Sequence, residues 1–520
     1  MPHWRFWLAV LGAGCTPAQA QPPAITQNGI VNAASQMPPP LASGALARGA
    51  LIDIHGVRLG DNDSRVILEN GGRATELQPI LATPRKITAL VPEMAPLGAG
   101  SIRVVVRGQS SAPFPIEVVS GSPGIFSRNG QGWGPGSIEN LEAGGSRTPN
   151  TADRPVRRGG RVTLTITGAG NRPVQFFIGE KEASAVSRPV RAGRQEVILE
   201  IPRDSPQGCF VPIRARSAGL RESNVVTIAI HDGAGTCDAG NPGAFIPRGP
   251  RSGAVFLVRT RFREEGGGNS LLDEAAAVFV ETQRETPIAP LLLTPPEGTC
   301  SFFAGSYQLG LAVPRSLSAA LIDSLGGRGL ETGQELTVGG VAGTRTIRSA
   351  SGTPGFFLGK LGGDAPPPPA RPPFLEPGSF QLSSRGGPEL PGFTVAVPGP
   401  PALEWINREK LDVVDRRRPL PIEWRTADSG SRVVIVAMNV DPTSTAFGMC
   451  YCSAAATARH FSVPAWALAN LPASTPDAGL PLNLLYVASL PIHPQQIPAS
   501  GLHSSVAAAV NALARRVEFR

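Results

Sequence analysis

The sequence predicts an all-β protein, with tandem β-sandwiches followed by a less regular β-rich C-terminal region. Three observations carry this. The first is a near-repeat. Ile87–Gly98 reads ITALVPEMAPLG and Val197–Gly208 reads VILEIPRDSPQG, so Pro92, Pro96 and Gly98 recur 110 residues later as Pro202, Pro206 and Gly208. A period of that size is one whole domain, not a solenoid repeat. The second is composition. The chain of 520 residues holds 61 glycines and 53 prolines, set between apolar runs without a collagen period. That is the pattern of many short strands joined by tight turns. The third is the runs themselves, which are short, rich in β-branched residues and closely spaced, with no helical-period segment between them in the first half.

The elements follow in order. Residues 1–20 read as a secretory leader: Arg5, an apolar core Phe6–Gly14 and the cleavage site Ala18-Gln19-Ala20. Cleavage there makes Gln21 the new terminus. Cys15 offers a lipoprotein alternative, although Gly12 stands where a lipobox usually has leucine. Residues 21–45 are Pro-rich and expected to be extended. A first sandwich is expected over 21–121, with strands in ALIDIHGVRL, SRVILENGG, KITALVPE, SIRVVVRG and FPIEVVS. Its RGALIDIHG parallels GGRVTLTITG through a two-residue indel, placing Ile52 and Ile54 on Leu164 and Ile166. A second sandwich over 122–237 has strands in GRVTLTIT, PVQFFIGE, QEVILEIP, CFVPIRARS and SNVVTIAIH. Gly130–Asp153 reads as a long loop, a place where function can sit.

After the linker Asp238–Arg251, residues 238–520 form one or two further β-rich domains. SGAVFLVRTRF and AAAVFVETQ read as strands, with a short helix the alternative for LLDEAAAVFV. Asp364–Pro373 reads as a solvated polyproline excursion. A strand is expected at Ala514–Phe519, and the alanine-rich stretch before it is open between helix and strand.

Charge excludes little. The formal net charge of +8 is carried by scattered arginines, without the clustered basic stripe and interleaved aromatics of a nucleic-acid binder. No run approaches the roughly 20 apolar residues of a membrane span. Cysteine usage fits an oxidising compartment. Five cysteines follow the leader, so at least one stays unpaired within the chain. Cys209 and Cys237 flank the end of the second unit and are expected to bridge, stabilising by roughly 3 kcal/mol. Cys300 then pairs with Cys450 or Cys452, which point to one face of a strand; Cys452 is preferred. A cysteine metal site is the alternative, but C-x-C with distant single cysteines matches no zinc pattern.

No catalytic cluster stands out. The histidines are isolated, and there is no G-x-S-x-G elbow, S-x-x-K or Walker loop. DNDSR at Asp61–Arg65 starts like a calcium loop but lacks the glycine and closing glutamate of one; if calcium binds, Asp61 and Asp63 are the ligands. No catalytic residue, cofactor or metal is assigned. Trp133, Trp405 and Trp424 are expected to pack in the core of a small-cored sandwich, with stacking on sugar rings the alternative.

The runs NGIVNAAS (Asn28–Ser35), LIDIHGVRLG, ITALVPE, SAPFPIEVVSGSPGIFS (Ser111–Ser127) and NTADRPVRRGGRVTLTITGAG together resemble secreted proteins of soil Acidobacteria (Solibacter-type) that carry tandem IPT/TIG-like, immunoglobulin-type sandwiches. The resemblance covers about residues 25–237. The segment MPPPLASGALARGA after NAAS departs from the family pattern, which puts the first strand of the fold in question. A weaker resemblance continues in GTC (Gly298–Cys300), LEWIN (Leu403–Asn407) and HFSVPAWALANLP (His460–Pro472). It implies an exported, all-β, immunoglobulin-like protein engaged in binding or assembly, and it brings no catalytic residue.

The function expected is therefore that of a secreted, non-enzymatic interaction or structural protein of the cell surface or extracellular space, with an unknown protein or polysaccharide partner and no nucleic acid. One alternative is a carbohydrate-binding protein using Trp133, or Trp405 with Trp424. Another is a hydrolase in the C-terminal region, for which Asp412 with Asp415, or Glu404 with Glu409, would have to converge.

Overall fold

Short β-branched runs bounded by glycine and proline become strands throughout. The computed structural model describes residues 21–520 apart from 62, 172, 192, 220, 241–243, 264–267, 283–291, 307–327, 350–352, 427 and 476–482. The expected leader and Cys15 lie outside the described residues. Among those described, the α-helix is a single short one, Ala465–Ala469, and no helix is long and apolar enough to cross a membrane. The fold is all-β, with tandem immunoglobulin-like sandwiches leading into a larger β-rich body.

The first sandwich is one rolled sheet. Its strands run Ala24–Asn32, Leu51–Val57, Lys86–Leu90, Arg73–Thr83, Ser64–Asn70, Gly98–Val106, Phe114–Val119 and Leu46–Ala47 in spatial order. Arg73–Thr83 belongs to both layers. Its first half pairs with Ser64–Asn70 and its second, past a bulge at Pro79–Leu81, with Lys86–Leu90. Ile52, Ile54, Val66, Leu68, Ile87 and Val104 fill the space between the layers. The second sandwich packs a six-stranded sheet built around Arg161–Thr167 and Arg194–Glu200 on a four-stranded one built around Gly208–Ser217. Leu164, Ile166, Phe176, Val197 and Ile213 lie in its core.

The sequence repeat is one backbone corner made twice. In the first copy Val91 N donates to Ala50 O (2.9 Å) and Gly49 N to Val91 O (2.9 Å). In the second, Ile201 N donates to Gly160 O (2.9 Å) and Gly159 N to Ile201 O (2.8 Å). The prolines that follow turn alike: Ala95 N donates to Pro92 O and Ser205 N to Pro202 O, both at 3.1 Å. Gly49 (φ 66°) and Gly159 (φ 77°) hold the left-handed conformation the corner requires. The ladders correct the expected indel. Ile52 faces Ala89 and Ile54 faces Ile87, while Val162 faces Leu199 and Leu164 faces Val197. The spacing of 110 residues set by Pro92 and Pro202 thus holds in both strands, and Ile52 and Ile54 correspond to Val162 and Leu164. Alternating apolar residues look alike after a two-residue slip, so sequence matching alone could not choose the register.

The C-terminal body is organised by a nine-stranded sheet in the order Thr299–Ser306, Ala446–Ala455, Ser431–Val440, Leu484–Pro491, Ser504–Arg516, Arg251–Arg263, Asn269–Glu281 and Arg328–Gly329, with Phe356–Gly362 also on Asn269–Glu281. Ser504–Arg516 is strand along its whole length and pairs in parallel with Arg251–Arg263. LLDEAAAVFV is likewise strand. Two smaller sheets cap one face. One, Glu335–Gly340 with Gly343–Arg348, Ser379–Gly386 and Pro391–Pro398, packs on Val255, Leu257 and Phe279. The other, Glu404–Trp405 with Leu420–Arg425 and His460–Val463, packs together with Ala465–Ala469 on Ile435, Leu485 and Val487. The run Asp364–Pro373 is an exposed loop, apart from a buried Ala365, and Lys360 Nζ donates to Ala365 O and Pro367 O.

The sheet's other face shares one apolar cluster with the outside of the second sandwich, where Phe210, Ala229 and the Cys209–Cys237 pair meet Phe256, Val436 and Tyr451. Gly130–Asp153 is not one long loop: Ile138–Leu141 and Arg147–Pro149 form a hairpin at the edge of the second sandwich. The MPPPLAS segment reaches the C-terminal body, with Met37 buried among that body's residues and Ser43 Oγ bonded to Asn470 Oδ1 (3.0 Å). Ala24–Asn32 nonetheless pairs normally with Leu51–Val57 past a bulge.

Candidate ligand-binding cleft

The sequence-derived candidates come first. Cys209–Cys237 and Cys300–Cys452 are disulfides. The second joins residues directly opposite in the ladder. Cys450 is a buried free thiol with its Sγ 3.6 Å from Cys452 Sγ, and burial pushes it well above the usual thiol range. The three sulfurs cluster, but two are joined to each other.

The tryptophans pack inward. Trp424 is fully buried and its Nε1 donates to Ala456 O (2.9 Å). Trp405, 5% exposed, lies opposite Trp424 and donates to Asn407 Oδ1 (2.9 Å). Both therefore pack in the core, and what surface Trp405 keeps lies on the cleft described below. The cause is visible in LPIEWR, where Ile422 and Trp424 alternate with exposed Glu423 and Arg425. Trp133 is half-buried and meets Phe303 edge to face, with centroids 6.2 Å apart.

The carboxylate pairs proposed for hydrolysis are engaged by arginine. Glu404 binds Arg425, Glu409 binds Arg263 and Arg515, Asp412 binds Arg515, and Asp415 binds Arg417 and Arg418. Asp63 is tied to Arg107 (3.1 Å) in a surface turn.

A cleft of about 700 Å³ opens between the two caps of the C-terminal body, inside the roughly 300–1,000 Å³ range of small-ligand sites. Its floor comes from the middle of the large sheet: Arg259 and Arg261 from one strand, Asn511 and Leu513 from its parallel neighbour. Side chains at alternate positions share a face, so Arg259, Arg261 and Arg263 all rise on the cleft side. Pro377 and Gly378 wall it from one cap, and Leu403, Glu404 and Arg408 from the other.

The arginines divide into two kinds. Arg259 is buried and fully matched: Nε and Nη2 bind Asp273 (2.8 Å each) and Nη2 reaches Glu376 (3.2 Å). Asp273 also accepts Phe374 N (2.6 Å) and Leu375 N (2.9 Å). Arg261 instead donates to Asn511 Oδ1 (3.0 Å). Arg408 donates from Nη2 to Arg261 O (2.8 Å) and Ala514 O (2.5 Å), and its Nε is buried without a partner. Neither Arg261 nor Arg408 has a carboxylate in ion-pair contact among the described residues. Burial draws Arg408 down to about 10 despite Glu409, with Arg263, Arg515 and Arg261 adding to the effect. Burial and then Arg259 lower Arg261. Both remain cationic at neutral pH. Sequence reasoning missed this pair because Arg261 and Arg408 lie far apart in the chain; the available signal was arginine at every second position of VRTRFR.

No protein-family model matches the chain, and no curated protein matches it. Solved structures give distant likenesses. Domains 4–9 of surface layer protein SbsC show 10% identity over 90% of this chain and 64% of that one, with a TM-score of 0.20. Bacteroides ovatus SGBP-B of a mixed-linkage glucan utilization locus, in complex with a heptasaccharide, shows 11% identity over 78% and 79%, with a TM-score of 0.14. The plexin A4 extracellular region shows 14% identity over 41% and 18%, with a TM-score of 0.17. This chain spans under a fifth of the plexin structure and just under two thirds of the SbsC one.

Proposed function

We propose that this is an exported, non-enzymatic interaction protein of the cell surface or extracellular space, which holds its ligand in the cleft between the two caps. The first sandwich (21–121) and second sandwich (122–237) act as a spacer for the C-terminal region 238–520. The observation that carries the reading is the cleft itself, with two cationic side chains exposed to it and lacking carboxylate partners while the carboxylates around it are engaged by other arginines. That arrangement suits recognition of a ligand, with the wall carboxylates Glu404 and Glu409 held in ion pairs with arginine. The two buried disulfides fit an oxidising compartment. A polysaccharide is the preferred partner class, since the cleft mixes polar groups with apolar walls; a protein partner is the alternative.

Affinity electrophoresis of the chain beginning at Gln21 through gels of neutral and acidic polysaccharides tests this. Retardation is expected in at least one gel. Ala402→Trp, which fills the cleft from an exposed position, should abolish it. Retardation that survives this substitution, or none in any gel, overturns the reading.

A further inference from the structure

The charge pattern of the cleft specifies more than a site. Three arginines and two glutamates line it, and their partners decide which charges remain. Arg259 is matched by Asp273 and Glu376, Glu404 is paired with Arg425, and Glu409 with Arg263 and Arg515. Arg261 and Arg408 are left, adjacent through the bond from Arg408 Nη2 to Arg261 O (2.8 Å). Arg408 is half-buried and Arg261 is exposed to the cleft, and guanidinium groups that face a cleft without a counter-charge favour an anion brought by a ligand. The ligand's charge is limited from the other side. Glu404 and Glu409 stand in the wall, each more than half exposed in its ion pair, so their charge is offset only in part and a phosphate dianion or a sulfated chain meets more repulsion than a single negative charge does. Leu403, Pro377, Pro400 and Leu513 provide apolar surface for the rest of the molecule.

We propose that the cleft binds an organic monocarboxylate, with the carboxylate taken by Arg261 and Arg408 and the body of the ligand lying along Leu403, Pro377 and Pro400. This rests on the cleft being the ligand site. A carboxylate of this kind comes either from a uronic-acid unit of an acidic glycan or from a free small acid. The planar two-oxygen group suits the guanidinium fork, in which two parallel N–H groups donate at once.

Calorimetry on the disulfide-intact chain beginning at Gln21 separates the outcomes. The probes are galacturonic acid, its methyl ester, cellotriose, benzoate and inorganic phosphate. Galacturonic acid or benzoate should bind at least tenfold tighter than the ester, cellotriose or phosphate, and which of the two binds assigns the source. Arg261→Gln should weaken that binding about tenfold or more, and Arg261→Lys should restore part of it, because an ammonium keeps the charge without the fork. If Arg261→Gln misfolds, the acid–ester comparison on the unaltered chain still decides. Equal binding of acid and ester, or preference for phosphate, overturns the monocarboxylate while leaving the cleft as a site. Absence of binding by every probe also overturns it, and the Ala402→Trp gel result then judges the cleft independently.

Discussion

In the first sandwich the strand Gly98–Val106 buries only alternate residues, Ile102 and Val104, whereas its counterpart Gly208–Ser217 in the second is buried at every position but Arg216. The next strands differ in the same way: Phe114–Val119 alternates and Val226–Ile230 is buried throughout. The two copies share a corner and a core, so the difference arises outside them. The outer face of the second copy lies against the C-terminal body and the matching face of the first lies in water. A duplicated domain has thus been adapted on one face only. Cys209 stands where the first copy has exposed Ala99 and anchors the chain at Cys237 just as it leaves the second sandwich.

Arginine shows the same divergence. Arg103 faces Ile67 in one ladder and Arg214 faces Phe177 in the other. Arg103 pairs with Glu69 at the surface, both side chains about two fifths exposed (39% and 43%). Arg214 is 4% exposed and binds Glu222 (2.9 Å). Its guanidinium lies over Phe177 and over Trp466 of the C-terminal body, 4.0 and 4.6 Å from the ring centroids, and Trp466 Nε1 donates to Glu180 (3.1 Å).

Breaking the C-terminal body should have the largest effect. Cys300→Ala with Cys452→Ala removes a crosslink spanning 152 residues and should cost about 4–5 kcal/mol on the loop-entropy account. Calorimetry should show the body's transition falling while the first sandwich's holds. Cys209→Ala with Cys237→Ala, spanning 28 residues, should cost about 3–4 kcal/mol and raise proteolysis at 231–250. Arg214→Ala should cost about 3 kcal/mol, since Arg216 still holds Glu222 (2.6 Å); Arg103→Ala should cost under about 1 kcal/mol. Chemical denaturation of the two variants tests that contrast, and equal costs would remove it.

The smallest effect is one of pH and belongs to the first sandwich. Burial lowers His55 below its usual 6.5, against an upward pull from Asp53 and with a downward one from Lys86. Its Nε2 lies 3.2 Å from Gln36 Oε1, and the ring is half-buried. A base with a depressed folded value leaves the unfolded chain binding more protons between that value and 6.5. Its contribution to stability is present above 6.5 and lost as pH falls through the folded value. His55→Gln should flatten this limb of the stability–pH curve for the first sandwich, leaving the rest of the chain unchanged.

Much of this was legible from sequence, for local reasons. Pro92 and Pro202 mark a corner whose turn and backbone bonds are set within a few residues, and the two-residue period of a strand narrowed the partner of Cys300 to Cys450 or Cys452 without choosing between them. The second copy also signalled its buried outer face: CFVPIRARS and VVTIAI lack the clean alternation of SIRVVVRG. The cleft was not legible, because Arg261 and Arg408 meet only when a cap folds back over the sheet. The core packing of Trp424 is legible in LPIEWR, where it alternates with Ile422 against exposed Glu423 and Arg425.

Hydrogen exchange on the disulfide-intact chain, with and without the ligand that calorimetry identifies, tests the cleft most directly. The account predicts slowed exchange in 257–263, 399–409 and 509–515, which line the cleft, with the outer strands of the first sandwich unchanged. Protection confined to those outer strands, with the cleft segments unaffected, would contradict it.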